Sequence, residues 1–221
     1  MQQVIAIITG LGLIYLLWRQ WQAAERKFQT LPLNLFSAVQ DLLTDTKLEH
    51  GEAFGTWKLT GTYQGHAFHF KAVVDTLATR KLPSLWLLIT LPEAQQVSAI
   101  LDLMMRPTGP TSFSNFDFLP QSLQTPEGFP EHAVLRTDNL DLCPPAEILR
   151  PHLLHFEQCR GKEILISPKG LRVVVQVAEV DRLRYGVFRE ANFSDTVIDN
   201  NIAAQCLQIL LALNEDIKRH D

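Results

Sequence analysis

The sequence predicts an α+β protein: an N-terminal single transmembrane helix, then a mostly antiparallel sheet packed with helices, closed by a long C-terminal helix. Three observations carry that expectation. The first 18 residues hold no charged side chain. Two later stretches alternate apolar and polar residues around a turn, as hairpins do. Near the end, apolar residues recur every three or four positions, as on one face of a helix.

The opening run "MQQVIAIITGLGLIYLLW" is apolar on all sides, and roughly 17–25 such residues cross a bilayer as a helix. Trp18, Arg19 and Trp21 stand at its end as interfacial anchors. Only "MQQ" precedes the run, and the bulky "WRQWQAAER" follows it, so the positive leader and small-residue cleavage site of an export signal are missing. Arg19, Arg26 and Lys27 all flank the C-terminal end, which by the positive-inside rule faces the cytoplasm. The expected organisation is an anchor over 1–20, a juxtamembrane stalk and amphipathic helix over 21–50, and an α+β globular domain over 51–221. The expected location is a bacterial inner membrane, single-pass, with the C-terminal domain on the cytoplasmic side.

"NLFSAVQDLLTD" spaces Leu35, Phe36, Val39, Leu42 and Leu43 for an amphipathic helix. Around Gln64-Gly65, Trp57, Leu59, Gly61 and Tyr63 share one parity and Phe68, Phe70, Ala72 and Val74 another, a hairpin with one buried face. "LWLLITL", residues 85–91, has no alternation and reads as a central strand covered on both faces. "EAQQVSAILDLMMR" reads as a helix stopped by Pro107. From Pro107 to Pro130, Pro, Ser, Gly and Thr predict a long loop with one short strand. "PPAEILRPHLLHFEQCRG" offers two helix starts, Pro145 and Pro151, and a stop at Gly161. "EILISPKGLRVVVQVA" is a hairpin turning at Pro168-Lys169-Gly170. The last helix is expected to start after Ser194 and to bury Ile198, Ile202, Cys206, Ile209, Leu213 and Ile217.

Composition narrows the function. An apolar fraction of 46% with 20% charged residues is ordinary for a globular domain. A net charge of −4 leaves no basic footprint for nucleic acid. Three cysteines, Cys143, Cys159 and Cys206, make no disulfide framework and suit a reducing compartment.

Metal-ligand residue types come together in "PHLLHFEQC", where His152, His155 and Cys159 have helical spacing. Zinc needs four converging donors, and no second short-spaced pair completes the set. The reading adopted is therefore no metal and no cofactor, with the histidines flanking a core face of Leu153 and Phe156. His66 and His69 differ by an odd number and point to opposite faces of a strand. Gly-x-Ser-x-Gly, Ser-x-x-Lys and phosphate-cradling glycine loops are absent from the sequence. Acidic pairs such as Asp138/Asp141 and Asp195/Asp199 carry no catalytic signature, and no motif identifies a family.

The function expected from this pattern is a non-catalytic, membrane-tethered interaction module, an accessory or assembly subunit of a membrane protein complex. Its expected partners are the membrane and a protein of that complex. The alternatives are a membrane-anchored enzyme with a dispersed site and a small-ligand sensor with a pocket under the 107–130 loop. A polar pocket with perturbed titratable groups would favour the enzyme, a dry cavity the sensor and an exposed apolar patch the interaction module.

Overall fold

The computed structural model describes residues 10, 12–19, 31–32, 34–50, 57–75, 82–107, 109–183, 185 and 191–219. Among them nine strands form one sheet, every pairing antiparallel. In chain order these are β1 (Thr44–His50), β2 (Trp57–Tyr63), β3 (His66–Asp75), β4 (Ser84–Leu91), β5 (Leu101–Met105), β6 (Gln121–Leu123), β7 (Ala133–Thr137), β8 (Gly161–Ser167) and β9 (Gly170–Glu179). Their order across the sheet is β1-β2-β3-β4-β9-β8-β5-β7-β6. Three α-helices bounded within the described residues are α1 (Ser37–Gln40), α2 (Leu153–Gln158) and α3 (Asn200–Arg219).

Period-two alternation becomes two chemically different faces. Phe70, Ile89, Val173, Ile164, Leu103 and Leu135 lie in one row of cross-strand partners. That row belongs to the main core, together with Phe156 of α2 and Cys206, Leu210 and Leu213 of α3. The opposite face is polar and open along β2 and β3. Farther along, Val73, Leu88 and Val174 form a small buried cluster, capped by Phe113 with Trp86 against it. Phe113 comes from the segment after β5, so the 107–120 region lies across the face that the helices leave free.

The N-terminal expectation is corrected. Among the described residues no helix is long and apolar enough to cross a membrane. The described helical stretch there is 12–19, eight residues with an exposed side chain at every position. The transmembrane, single-pass and signal-anchor assignment, the membrane as a partner, and the inner-membrane, cytoplasm-facing location built on it are therefore not supported. Met1–Thr9 lie outside the described residues, as do Trp21 and the expected stalk over 21–30.

Other elements differ locally. The amphipathic pattern after Asn34 gives only the short α1, and the chain then enters β1, whose residues Thr44 to Glu49 are exposed at the sheet edge. The stretch read as a helix before Pro107 contains β5 instead. All five of its residues are buried, between β7 and β8. A strand covered on both faces shows no alternation, which removes the signal that separates it from a buried helix. The segment starting at Pro145 is a 3₁₀ helix, Ala146–His152, before α2 takes over. Helix α3 is capped by Asp199 rather than Ser194: the Asn201 N–H donates to Asp199 Oδ1 at 2.7 Å.

Candidate functional site

The structure sends the three metal-type residues to three different surroundings. His152 lies buried at the end of the 3₁₀ segment, its Nε2 2.8 Å from Asp216 Oδ2 on α3. Arg219 Nη2 holds the other oxygen of Asp216 at 3.1 Å, so this is a tie between the 3₁₀ segment and the end of α3. His155 is exposed. Cys159 is buried at the end of α2 and donates to Gln205 Oε1 at 3.0 Å. A hydrogen bond with the Cys206 thiol draws the Cys159 thiol down and pushes Cys206 well up. No group of three or more His, Cys, Asp or Glu among the described residues could hold a metal ion. Trp18 and Arg19 are exposed at the end of the 12–19 stretch, and Trp21 lies outside the described residues. On β3, His66 Nδ1 is 2.6 Å from Glu93 Oε1, while His69 sits on the open polar face.

A charged cluster sits instead beneath the 107–120 segment. Register places Asp102 of β5, Glu163 of β8 and Arg172 of β9 on the same face, with Glu163 diagonal to both others. Asp102 is 2% exposed and Glu163 0%. Arg172 Nη2 donates to Glu163 Oε1 at 2.9 Å, and Ser114 of the covering segment also hydrogen-bonds Glu163. Burial, and then the adjacent Glu163, pushes the Asp102 carboxyl well above the usual range. Burial raises Glu163 too, with Arg172 pulling the other way. Among the described residues Asp102 Oδ1 and Glu163 Oε2 have no other hydrogen-bond partner, and a hydrogen bond between the two carboxyls favours the protonated form of Asp102. Arg136, opposite Asp102 on β7, turns outward to the carbonyls of Asp117 (3.0 Å) and Leu119 (3.3 Å) and stacks over Phe116 at 5.3 Å.

Buried as they are, these carboxyls bind the covering segment to the sheet and cannot reach a substrate. Sequence reading missed them. The available signal was one acid inside each apolar run, "ILDLMM" and "EILIS", but their pairing depends on strand order.

A groove of mixed polarity opens near the start of β5. Val97, Leu142, Pro144, Pro145, Ile148 and Ile217, together with the polar Gln96 and Ser98, line a space of about 230 Å³. Leu142, one of the lining residues, is 53% exposed, and Leu140, two residues before it, is 49% exposed. Asp138, Asp141 and Glu147, all exposed, give the surrounding loops negative charge. Thr137 holds the corner, its Oγ1 accepting from the Asn139 N–H at 3.1 Å, and Asp138 Oδ1 accepts the Ile100 N–H at 2.8 Å. The leucines are thus presented by a hydrogen-bonded corner.

No protein-family model and no curated protein matches this sequence. Among solved structures the chain is similar to the mycobacterial trehalose monomycolate transport factor A, at 10% identity and a TM-score of 0.45. The match covers 84% of this chain and 93% of that one.

Proposed function

We propose that this domain is a non-catalytic interaction module, an accessory subunit that binds a partner protein through the groove beside Leu140 and Leu142. The carrying observation is the pair of half-exposed leucines on a hydrogen-bonded corner, with Leu142 lining the groove. Leucine held in water at a structured site gains by being covered, at about 25 cal/mol per Å² of apolar surface removed. Asp138, Asp141 and Glu147 define the complement: a segment with an apolar anchor residue flanked by basic side chains. The exposed patch is the feature that separates this reading from an enzyme, since the perturbed carboxyls Asp102 and Glu163 are sealed away from it.

The test compares tagged full chain with Leu142→Asp and, as control on the open polar face, Lys58→Glu. Quantitative mass spectrometry of co-purifying proteins should show a stoichiometric partner lost with Leu142→Asp and kept with Lys58→Glu. The purified partner should then bind the wild-type chain directly, more weakly as salt rises. Equal recovery of every partner by wild type and Leu142→Asp would refute the proposal.

A further inference from the structure

A second concave surface lies at the opposite end of β5, about 17 Å along the strand from the groove. It is a cleft of about 370 Å³ over the ends of β4, β9, β8 and β5, lined among others by Trp86, Arg106, Arg160, Ser84 and Gln176. Small-molecule sites occupy about 300–1,000 Å³.

Two arginines distinguish this cleft from an ordinary surface dip. Arg106 follows the last residue of β5 and Arg160 precedes the first residue of β8, and both have left-handed backbones, with φ of 46° and 55°. That region costs a residue with a Cβ about 1–2 kcal/mol and favours glycine. Both backbones are clamped there from two sides. The Arg106 N–H donates to His132 O at 2.9 Å, and its carbonyl accepts from Lys162 Nζ at 2.7 Å. The Arg160 N–H donates to Glu157 O at 3.0 Å, and its carbonyl accepts from the Gln176 N–H at 3.1 Å. Each position therefore carries its arginine side chain at a backbone cost that glycine would not have. Among the described residues neither guanidinium has an ion-pair partner. Strained residues gathered on one concavity are the pattern of a binding site.

The rest of the lining describes the ligand. Trp86 offers an indole wall, its Nε1 buried and its ring packed against Phe113. Gln176 Nε2 donates to Ser84 Oγ at 3.0 Å, and the Ser84 hydroxyl donates in turn to the Leu82 carbonyl at 3.4 Å, which fixes this wall of the cleft. Asp75, Glu157 and Glu179 supply carboxylates to the lining, which accept from a ligand's donors and repel an all-anionic one.

We propose that the cleft binds a small organic oxyanion, with its carboxylate or phosphate between Arg106 and Arg160 and a hydroxyl-bearing body against Trp86. This goes beyond the groove-based reading and fails or stands independently of it. Isothermal titration of the full chain with glycerol 3-phosphate, glycerate, inorganic phosphate and glycerol tests it. One or both organic anions should bind saturably, phosphate more weakly and glycerol not at all. Comparing the two organic anions tells a phosphate site from a carboxylate site. Arg106→Gln and Arg160→Gln should each weaken binding about tenfold or more, since charge-assisted hydrogen bonds are lost. Arg106→Gly and Arg160→Gly should also lose binding while keeping or raising the melting temperature, because glycine relieves the left-handed backbone. Absence of saturable binding by both organic anions would overturn the proposal. So would unchanged affinity in the arginine variants, or a lower melting temperature in the glycine variants, which would make the arginines structural.

Discussion

Truncating Ile209 to Ala tests whether α3 is core or interface. Ile209 is 3% exposed and belongs to the main cluster with Leu210, Leu213 and Phe156. The change removes three methyl or methylene groups, about 2.4 kcal/mol of transfer free energy at about 0.8 kcal/mol each. The cavity left under a helix fixed by the His152–Asp216 tie adds to that, so the expected loss is about 3–4 kcal/mol. Urea unfolding of the full chain followed by circular dichroism reads this directly. With a slope of about 3 kcal/mol/M, the midpoint should fall by about 1 M. Gln208→Ala, one residue away on the exposed side, should stay within about 0.5 kcal/mol. If Ile209→Ala also stays within that range, the seam is a partner-facing surface and its assignment to the core is wrong.

Two further changes probe the sheet. Asp102 has its folded-state pKa raised by burial and by Glu163, so the fold favours its protonated form. That contribution is fully present below the ordinary carboxylate range and is lost as pH rises through the raised value. Glu163 is raised in the same direction, Arg172 opposes it, and Ser114 faces it from the covering segment. Asp102→Asn should therefore flatten the decline of stability between about pH 4 and pH 8, measured as urea midpoints, and match or exceed wild type at the upper end. Parallel profiles would refute the shared-proton arrangement. Gly161→Ala drives a Cβ into the ring of Phe156, well inside van der Waals separation, and that ring is fully buried, so the change should cost about 1–3 kcal/mol. Adding Phe156→Leu should recover part of that loss in the same melts; a wild-type melting temperature for Gly161→Ala alone would show that the ring can move.

Local chemistry carried its message wherever partners were close in sequence. The Gln64-Gly65 turn has φ of 49° and 85°, and residue types that tolerate such a turn, set between two alternating runs, mark a hairpin within a single short stretch of chain. Gly170 likewise lies at φ 148°, with the Leu91 carbonyl oxygen pressed against the place where a Cβ would stand. The apolar recurrence along α3 was legible because one helix face is continuous in sequence. Failure followed where the signal was absent or ambiguous. Strand β5, buried on both sides, lost its period, and the apolar opening run was read by length and composition as spanning a membrane.

The sequence by itself determined the hairpins, the buried face of α3, the lack of a basic footprint and the absence of nucleophile or phosphate-loop motifs. These depend on the spacing of neighbours and on composition, which a chain displays without folding. Tertiary structure alone decided the strand order, and with it the meeting of Asp102, Glu163 and Arg172 from three separate strands. It also decided that His152, His155 and Cys159 diverge, since their spacing was helical but the chain passes from a 3₁₀ turn into a short helix between them. The same is true of Arg106 and Arg160. Nothing local marks either arginine, and only the pairing of β5 with β8 brings both to one cleft.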